Sequence, residues 1–221
     1  MLRNRSVTPT FRQIPPDTGI AVRPPRACGM AHDAVQAKRR ATYEDLLQVP
    51  DIMVAEIVEG ELVVSPRPAS PHTFTAAEIA ADLLPAFHGV EARSGPGGWW
   101  MLPEPELHLA DDVLVPDLAA WRCARMAAVP NTSAFTLAPD WICEILSPSS
   151  VRHDRVAKMR CYAREGVAWV WLVDPIARTL EILRRDGGPW TVVASHAGDE
   201  VVRVEPFAEV EVQLQRWWLT D

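Results

Sequence analysis

The chain has 221 residues, 48% of them hydrophobic, which is enough for the full core of one domain. Its formal net charge of −7 excludes a strong nonspecific nucleic-acid coat, because such binding rests on neutralising phosphates. Any nucleic-acid role must use a local basic patch, or a metal that offsets an acidic site. Cys28, Cys123, Cys143 and Cys161 are scattered without a Cys-x-x-Cys pair, which argues against a zinc site or disulfide framework. The N-terminal arginines precede no apolar block, and no apolar run approaches the ~20 residues that span a bilayer. A cytoplasmic protein that does not insert in a membrane is expected.

Residues 1–35 are rich in proline, arginine and threonine and lack periodicity, so they are read as a disordered tail, with Met30 a candidate start. Residues 36–221 form the expected domain. Thr42-Tyr43-Glu44-Asp45 has capping character and opens a short helix that Pro50 ends. Residues 53–58 and 61–65 flank Glu59-Gly60 as a β-hairpin. Pro71 suits the first turn of a helix reaching Phe87, with Ile79, Leu83 and Phe87 at spacing four and Pro85 shortening or bending its end.

After the loop Gly95–Gly98, strands are expected at 99–102, 105–109 and 113–121, with Asp111-Asp112 as a turn and residues 122–140 irregular. A strand at 141–146 leads through Ser147-Pro148 into a helix over 152–164, ended by Gly166. The run Ala168–Val173 is apolar on both faces, as a central strand should be, and Asp174-Pro175 closes it. The stretch from 141 to 173 is long enough for a crossover that makes its two strands parallel. Strands near 178–184, 190–194 and 200–204 complete a mixed α/β fold, a mixed β-sheet flanked by helices. Trp169 and Trp171 are read as core residues on opposite sides of their strand, and Trp99-Trp100 as core or cleft.

Two acids stand in apolar strand-like surroundings. Asp117 follows Val115-Pro116, and Glu144 sits within Trp141–Leu146. A buried lone carboxylate costs several kcal/mol unless a cation, metal or hydrogen bond compensates. Glu144 shares a strand face with Ile142 and Leu146, and Asp117 one with Val115 and Ala119. On the following helix, Asp154, Lys158 and Tyr162 recur every four residues and form one stripe. By themselves they fit a surface ion pair, but beside two buried acids they fit a phosphodiesterase site. In such a site acids hold a metal and the lysine steadies a water or developing negative charge. Glu56, near a hairpin turn, and His72, in a first helical turn, read individually as surface groups. Phosphate-loop, dinucleotide, zincin and nucleophile-elbow motifs do not occur.

The series Glu56-Ile57-Val58-Glu59-Gly60-Glu61-Leu62, Ser65-Pro66, His72, Val115-Pro116-Asp117, Glu144 to Ser150, Asp154, Lys158, Tyr162, Gly166-Val167, Trp171 and Asp174-Pro175 resembles the Uma-two family of bacterial endonucleases. That family lies within the PD-(D/E)XK restriction-endonuclease-like superfamily. The resemblance runs from about Thr42 to the C-terminus. It implies a restriction-endonuclease-like core with Asp117 and Glu144 as metal ligands, Glu56 completing the acidic site, and Lys158 in the cationic role. Asp154, Tyr162 and His72 are supporting candidates. The common superfamily motif has its lysine two residues after the second acid; here that residue is Leu146, so the role passes to Lys158 on the next helix.

The expected function is therefore a Mg²⁺- or Mn²⁺-dependent endonuclease acting on DNA, with a homodimer suited to cutting both strands. Two alternatives stay open: a non-catalytic nucleic-acid-binding or assembly module on the same fold, and a metal-dependent hydrolase of phosphorylated small molecules.

Overall fold

A computed structural model describes residues 39–148 and 153–220. The readings of residues 1–35, Cys28 and Met30 lie outside the described residues. A capping box opens α1 (Tyr43–Leu46): the Thr42 hydroxyl accepts from the Asp45 N–H, and the Asp45 carboxylate takes the Thr42 N–H. The hairpin of β1 (Met53–Val58) and β2 (Glu61–Pro66) forms as expected. Its turn residues Glu59 and Gly60 both have positive φ, 54° and 82°, the geometry that matches strand twist in a two-residue hairpin. Helix α2 (Ser70–Phe87) starts with Pro71 in its first turn and buries Thr75, Ile79, Leu83, Ala86 and Phe87; Pro85 falls in the last turn without ending it.

The remaining strands are β3 (Trp99–Pro103), β4 (Glu106–Leu109), β5 (Asp112–Leu114), β6 (Leu118–Arg122), β7 (Ala134–Phe135), β8 (Trp141–Ile145), β9 (Trp169–Asp174), β10 (Thr179–Arg184), β11 (Thr191–Ala197), β12 (Val201–Val202) and β13 (Val212–Gln213). They divide into a five-stranded sheet ordered β2-β1-β5-β4-β7, a six-stranded sheet ordered β11-β10-β9-β8-β6-β3, and the pair β12-β13. β8 and β9 are parallel and central in the larger sheet, as the crossover length requires. Two layers of core flank that sheet. One packs under α2 and the C-terminal segment, with Trp141, Trp171, Phe207 and Trp217 among its members; the other lies under α3 (Met159–Arg164). Among the described residues, no helix is long and apolar enough to cross a membrane.

Several expectations are corrected. The strand expected over 113–121 is two strands in different sheets, β5 and β6, with Val115-Pro116-Asp117 as the passage between them. Pro116 has no N–H for a ladder, so pairing breaks there. The expected irregular stretch 122–140 contains β7, which pairs parallel with β4. The helix expected over 152–164 is a π-helical segment, His153–Lys158, that runs into α3. Gly166, at φ 80°, follows its end. Trp169 and Trp171 do not point to opposite sides: both belong to the layer under α2, as residues two apart on a strand must. Trp99 is core, and Trp100 is half-buried with its indole N–H donated to the Met126 carbonyl at 2.8 Å.

Candidate active site

Three segments meet where the two large sheets adjoin. β1 brings Glu56, the β5–β6 passage brings Asp117, and β8 brings Glu144. The π-helical segment and α3 bring Asp154, Lys158 and Tyr162, and the first turn of α2 brings His72. All except Tyr162 line one cavity of about 280 Å³. Glu56, Glu144, Asp154 and Lys158 are 8%, 2%, 3% and 4% exposed, so the charges here are almost fully out of water.

The Lys158 ammonium is the hub. Its Nζ lies 2.9 Å from Glu56 Oε1, 3.3 Å from Glu144 Oε1 and 3.3 Å from Asp154 Oδ1. Tyr162 donates its hydroxyl to Glu144 Oε1 from one turn further along. Backbone groups fix the remaining acids. Glu56 Oε1 accepts the Val115 N–H at 2.7 Å, tying β1 to the passage between sheets. Asp117 Oδ2 accepts the Ile145 N–H at 2.6 Å, which holds Asp117 beside the Glu144 strand. On its other side, Asp117 Oδ1 is 3.1 Å from His72 Nε2.

The electrostatics follow from this crowding. Burial alone would pull the Lys158 ammonium down, but Glu144, Glu56 and Asp154 outweigh it and hold it well above the ordinary lysine range. Burial, reinforced by Asp154, Asp117 and Glu56 against the pull of Lys158, pushes the Glu144 carboxyl well up. Burial also lowers His72, yet its hydrogen bond and charge contact with Asp117 outweigh that and raise it. Tyr162 rises well above the usual phenol range through burial and the nearby Glu144. Four carboxyl groups thus face one lysine and one histidine, an excess of acid that the rise of Glu144 relieves by favouring its protonated form.

The sequence-expected residues Glu56, Asp117, Glu144, Lys158, Asp154, Tyr162 and His72 are all brought together. Glu56 and Asp154 both contact the Lys158 ammonium, and Glu56 lines the same cavity as Asp117 and Glu144. Among the described residues, no group of three or more His, Cys, Asp or Glu side chains is placed to hold a metal ion. The donors at hand are nonetheless hard carboxylate oxygens with surplus negative charge, the chemistry that suits Mg²⁺ or Mn²⁺. Mg²⁺ is commonly held by only one or two carboxylates, with waters and substrate phosphate oxygens as its other ligands. Arg67, at the rim, was not singled out from sequence; the only local signal is its place between Pro66 and Pro68.

Comparison with known proteins bears on the fold and the family. A crystal structure of a protein from Anabaena variabilis, described as a putative nuclease belonging to DUF820, superposes with a TM-score of 0.63 at 22% identity, covering 80% of this chain and 97% of that one. At that identity the likeness establishes the fold. No curated protein matches. The sequence model of Uma2, described as "Putative restriction endonuclease", matches residues 40–216, and the chain belongs to that family.

Proposed function

We propose that the protein is a divalent-metal-dependent endonuclease that hydrolyses DNA phosphodiester bonds at the cavity of Glu56, Asp117, Glu144 and Lys158. The observation that carries this reading is the excess of acid: four carboxyl groups line one solvent-connected cavity, with Lys158 and His72 in contact with them and Arg67 the one further cationic side chain among the described lining residues. Excess buried negative charge is expensive even where each acid has a partner, and a hard cation offsets it. Asp117 and Glu144 would hold Mg²⁺ or Mn²⁺. When bound, the ion supplies polarisation of a phosphoryl oxygen and a bound water of lowered pKa.

The chain's own groups do the rest. Lys158 presents a fixed positive charge where negative charge builds on the phosphate. Glu56 and Asp154 set the position of that ammonium and keep it protonated. Tyr162 restrains the Glu144 carboxylate, and His72 restrains Asp117. Each contact is made before substrate arrives, so the site reorganises little during the reaction.

The test is a Mg²⁺ and Mn²⁺ titration of the full chain, followed by nuclease assays on single- and double-stranded DNA with Asp117→Ala and Glu144→Ala as controls. Metal-dependent internal cleavage, lost in both variants, is the expected result. Cleavage that persists in both variants, or a chain that neither binds metal nor cuts DNA, would overturn the reading. One observation favours a non-catalytic module instead: every charge around Lys158 already has an intramolecular partner, so the cluster could stand as a structural ion network. Metal-independent DNA binding without turnover would favour that alternative.

A further inference from the structure

A phosphodiester that enters this cavity meets four carboxylates, and the cation deepest in it is already engaged. Lys158 is buried and its ammonium is shared among Glu56, Glu144 and Asp154. Among the described residues lining the cavity, the other cationic side chains are His72, which faces Asp117, and Arg67. Arg67 is exposed, at the junction between β2 and α2. Its backbone lies between Pro66 and Pro68. Each proline fixes its own φ, and Pro68 confines Arg67 to extended conformations. The guanidinium is further tethered by a hydrogen bond from Nη2 to the Asp51 carbonyl at 2.8 Å. That bond uses one of five N–H donors. No carboxylate among the described residues pairs with Arg67, in contrast to Arg160 on Glu59 or Arg216 on Asp82.

We infer that Arg67 is a phosphate-binding residue for the nucleic-acid backbone, gripping a phosphate at the cavity rim beside the one that is cleaved. This rests on the nuclease reading and adds the group that lets an acidic protein hold an anionic substrate. The planar fork suits a phosphate bidentately, and its restricted backbone and tether reduce the freedom lost on binding.

The experiment measures binding of labelled single-stranded and duplex oligonucleotides to the full-length chain across a salt series, without metal and with Ca²⁺ as a hard oxygen-seeking probe. A deoxynucleoside monophosphate serves as a competitor. Arg67→Ala should weaken oligonucleotide binding about tenfold, the size of one charge-assisted contact at an exposed position. It should also reduce the slope of log K against log salt by about 0.7 for single strands or 0.9 for duplex. Arg67→Lys should restore the slope and only part of the affinity, since a point charge replaces a fork. Arg93→Ala, beyond the opposite end of α2, should change neither. Unchanged slope and affinity in Arg67→Ala, or an equal loss in Arg93→Ala, would overturn the inference while leaving the nuclease reading intact. Competition by the monophosphate as strong as by oligonucleotide would overturn the backbone assignment in favour of a small phosphorylated ligand. Wild-type protein that binds no oligonucleotide under either condition would remove the nuclease reading and this inference together.

Discussion

Neighbouring residues on β8 occupy opposite environments. Trp141, Cys143 and Ile145 face the aromatic layer under α2, where Phe207 contacts Phe87, Trp99 and Trp141 at ring-centroid distances of 4.8, 5.0 and 5.1 Å. Glu144, between them, faces Lys158 and Tyr162. The first face gains stability from buried area and edge-on ring packing. The second spends stability, because desolvating charges costs more than an isolated ion pair returns. The contrast supports the proposed site: a fold that can build the first face gains little stability from building the second.

The largest expected effect comes from breaking the charged face. Lys158→Ala removes the ammonium that three acids share. Without metal, the variant should lose about 3–5 kcal/mol in urea unfolding, the cost of stranding a buried charge. Saturating Mg²⁺ should recover part of that loss, since a cation replaces a cation. The proposed cleavage rate should fall by about 10²–10³. A metal-free variant as stable as wild type would make the cluster a surface-like ion pair.

Breaking the aromatic face should separate the two properties. Phe207→Ala is expected to cost about 3–5 kcal/mol through a large cavity in the layer under α2. Metal affinity, measured by calorimetry on the folded protein, should stay unchanged. A parallel loss of metal binding would mean that the aromatic layer sets the geometry of Glu144 across the strand.

A finer probe is Tyr162→Phe, which keeps shape and removes one hydrogen bond to Glu144. Stability should fall by about 1.5–3 kcal/mol, as for a bond to a charged group. Stability equal to wild type would show that Lys158 alone satisfies the carboxylate.

The smallest effect concerns an ion pair outside the cavity. Asp112 accepts the Glu59 N–H at 2.7 Å and the Arg164 guanidinium at 2.7 Å. Burial pushes its carboxyl up, but hydrogen bonds from Cys161 and Arg164 outweigh this and leave it below the ordinary aspartate value. A folded pKa below the unfolded one stabilises the protein above roughly pH 3.9, and that stabilisation is lost as pH falls through the lower folded value. Asp112→Asn should therefore flatten the acid limb of stability below about pH 4. Because Arg164 is half exposed and screened, about 1 kcal/mol or less is at stake. An acid limb identical to wild type would assign that slope to other carboxylates.

Much of the local structure was legible in the sequence. The Glu59-Gly60 hairpin, the helix carrying Ile79 and Leu83, and the parallel pair β8 and β9 follow from turn chemistry, helical spacing and crossover length. The stripe Asp154-Lys158-Tyr162 was also readable, because positions four apart stay on one side of a helix. These are regularities within short stretches of chain, and the sequence by itself determined them. The Uma2 family was readable too, from motifs in their order.

What only the tertiary structure decided is how distant segments meet. Pro116 divides one apparent strand between two sheets, and that division puts Asp117 on the Ile145 N–H and Val115 on Glu56. Glu56 looks like a solvent-facing hairpin residue until sheet order sets it 2.9 Å from Lys158. The C-terminal segment shows little periodicity, yet Trp217 seals α2 by donating its indole N–H to Asp82 at 2.8 Å and accepting the Thr75 hydroxyl at its carbonyl at 2.5 Å. Period and capping act over a few residues, whereas the separation of remote carboxylates depends on sheet order and on which backbone donors remain for side chains to satisfy.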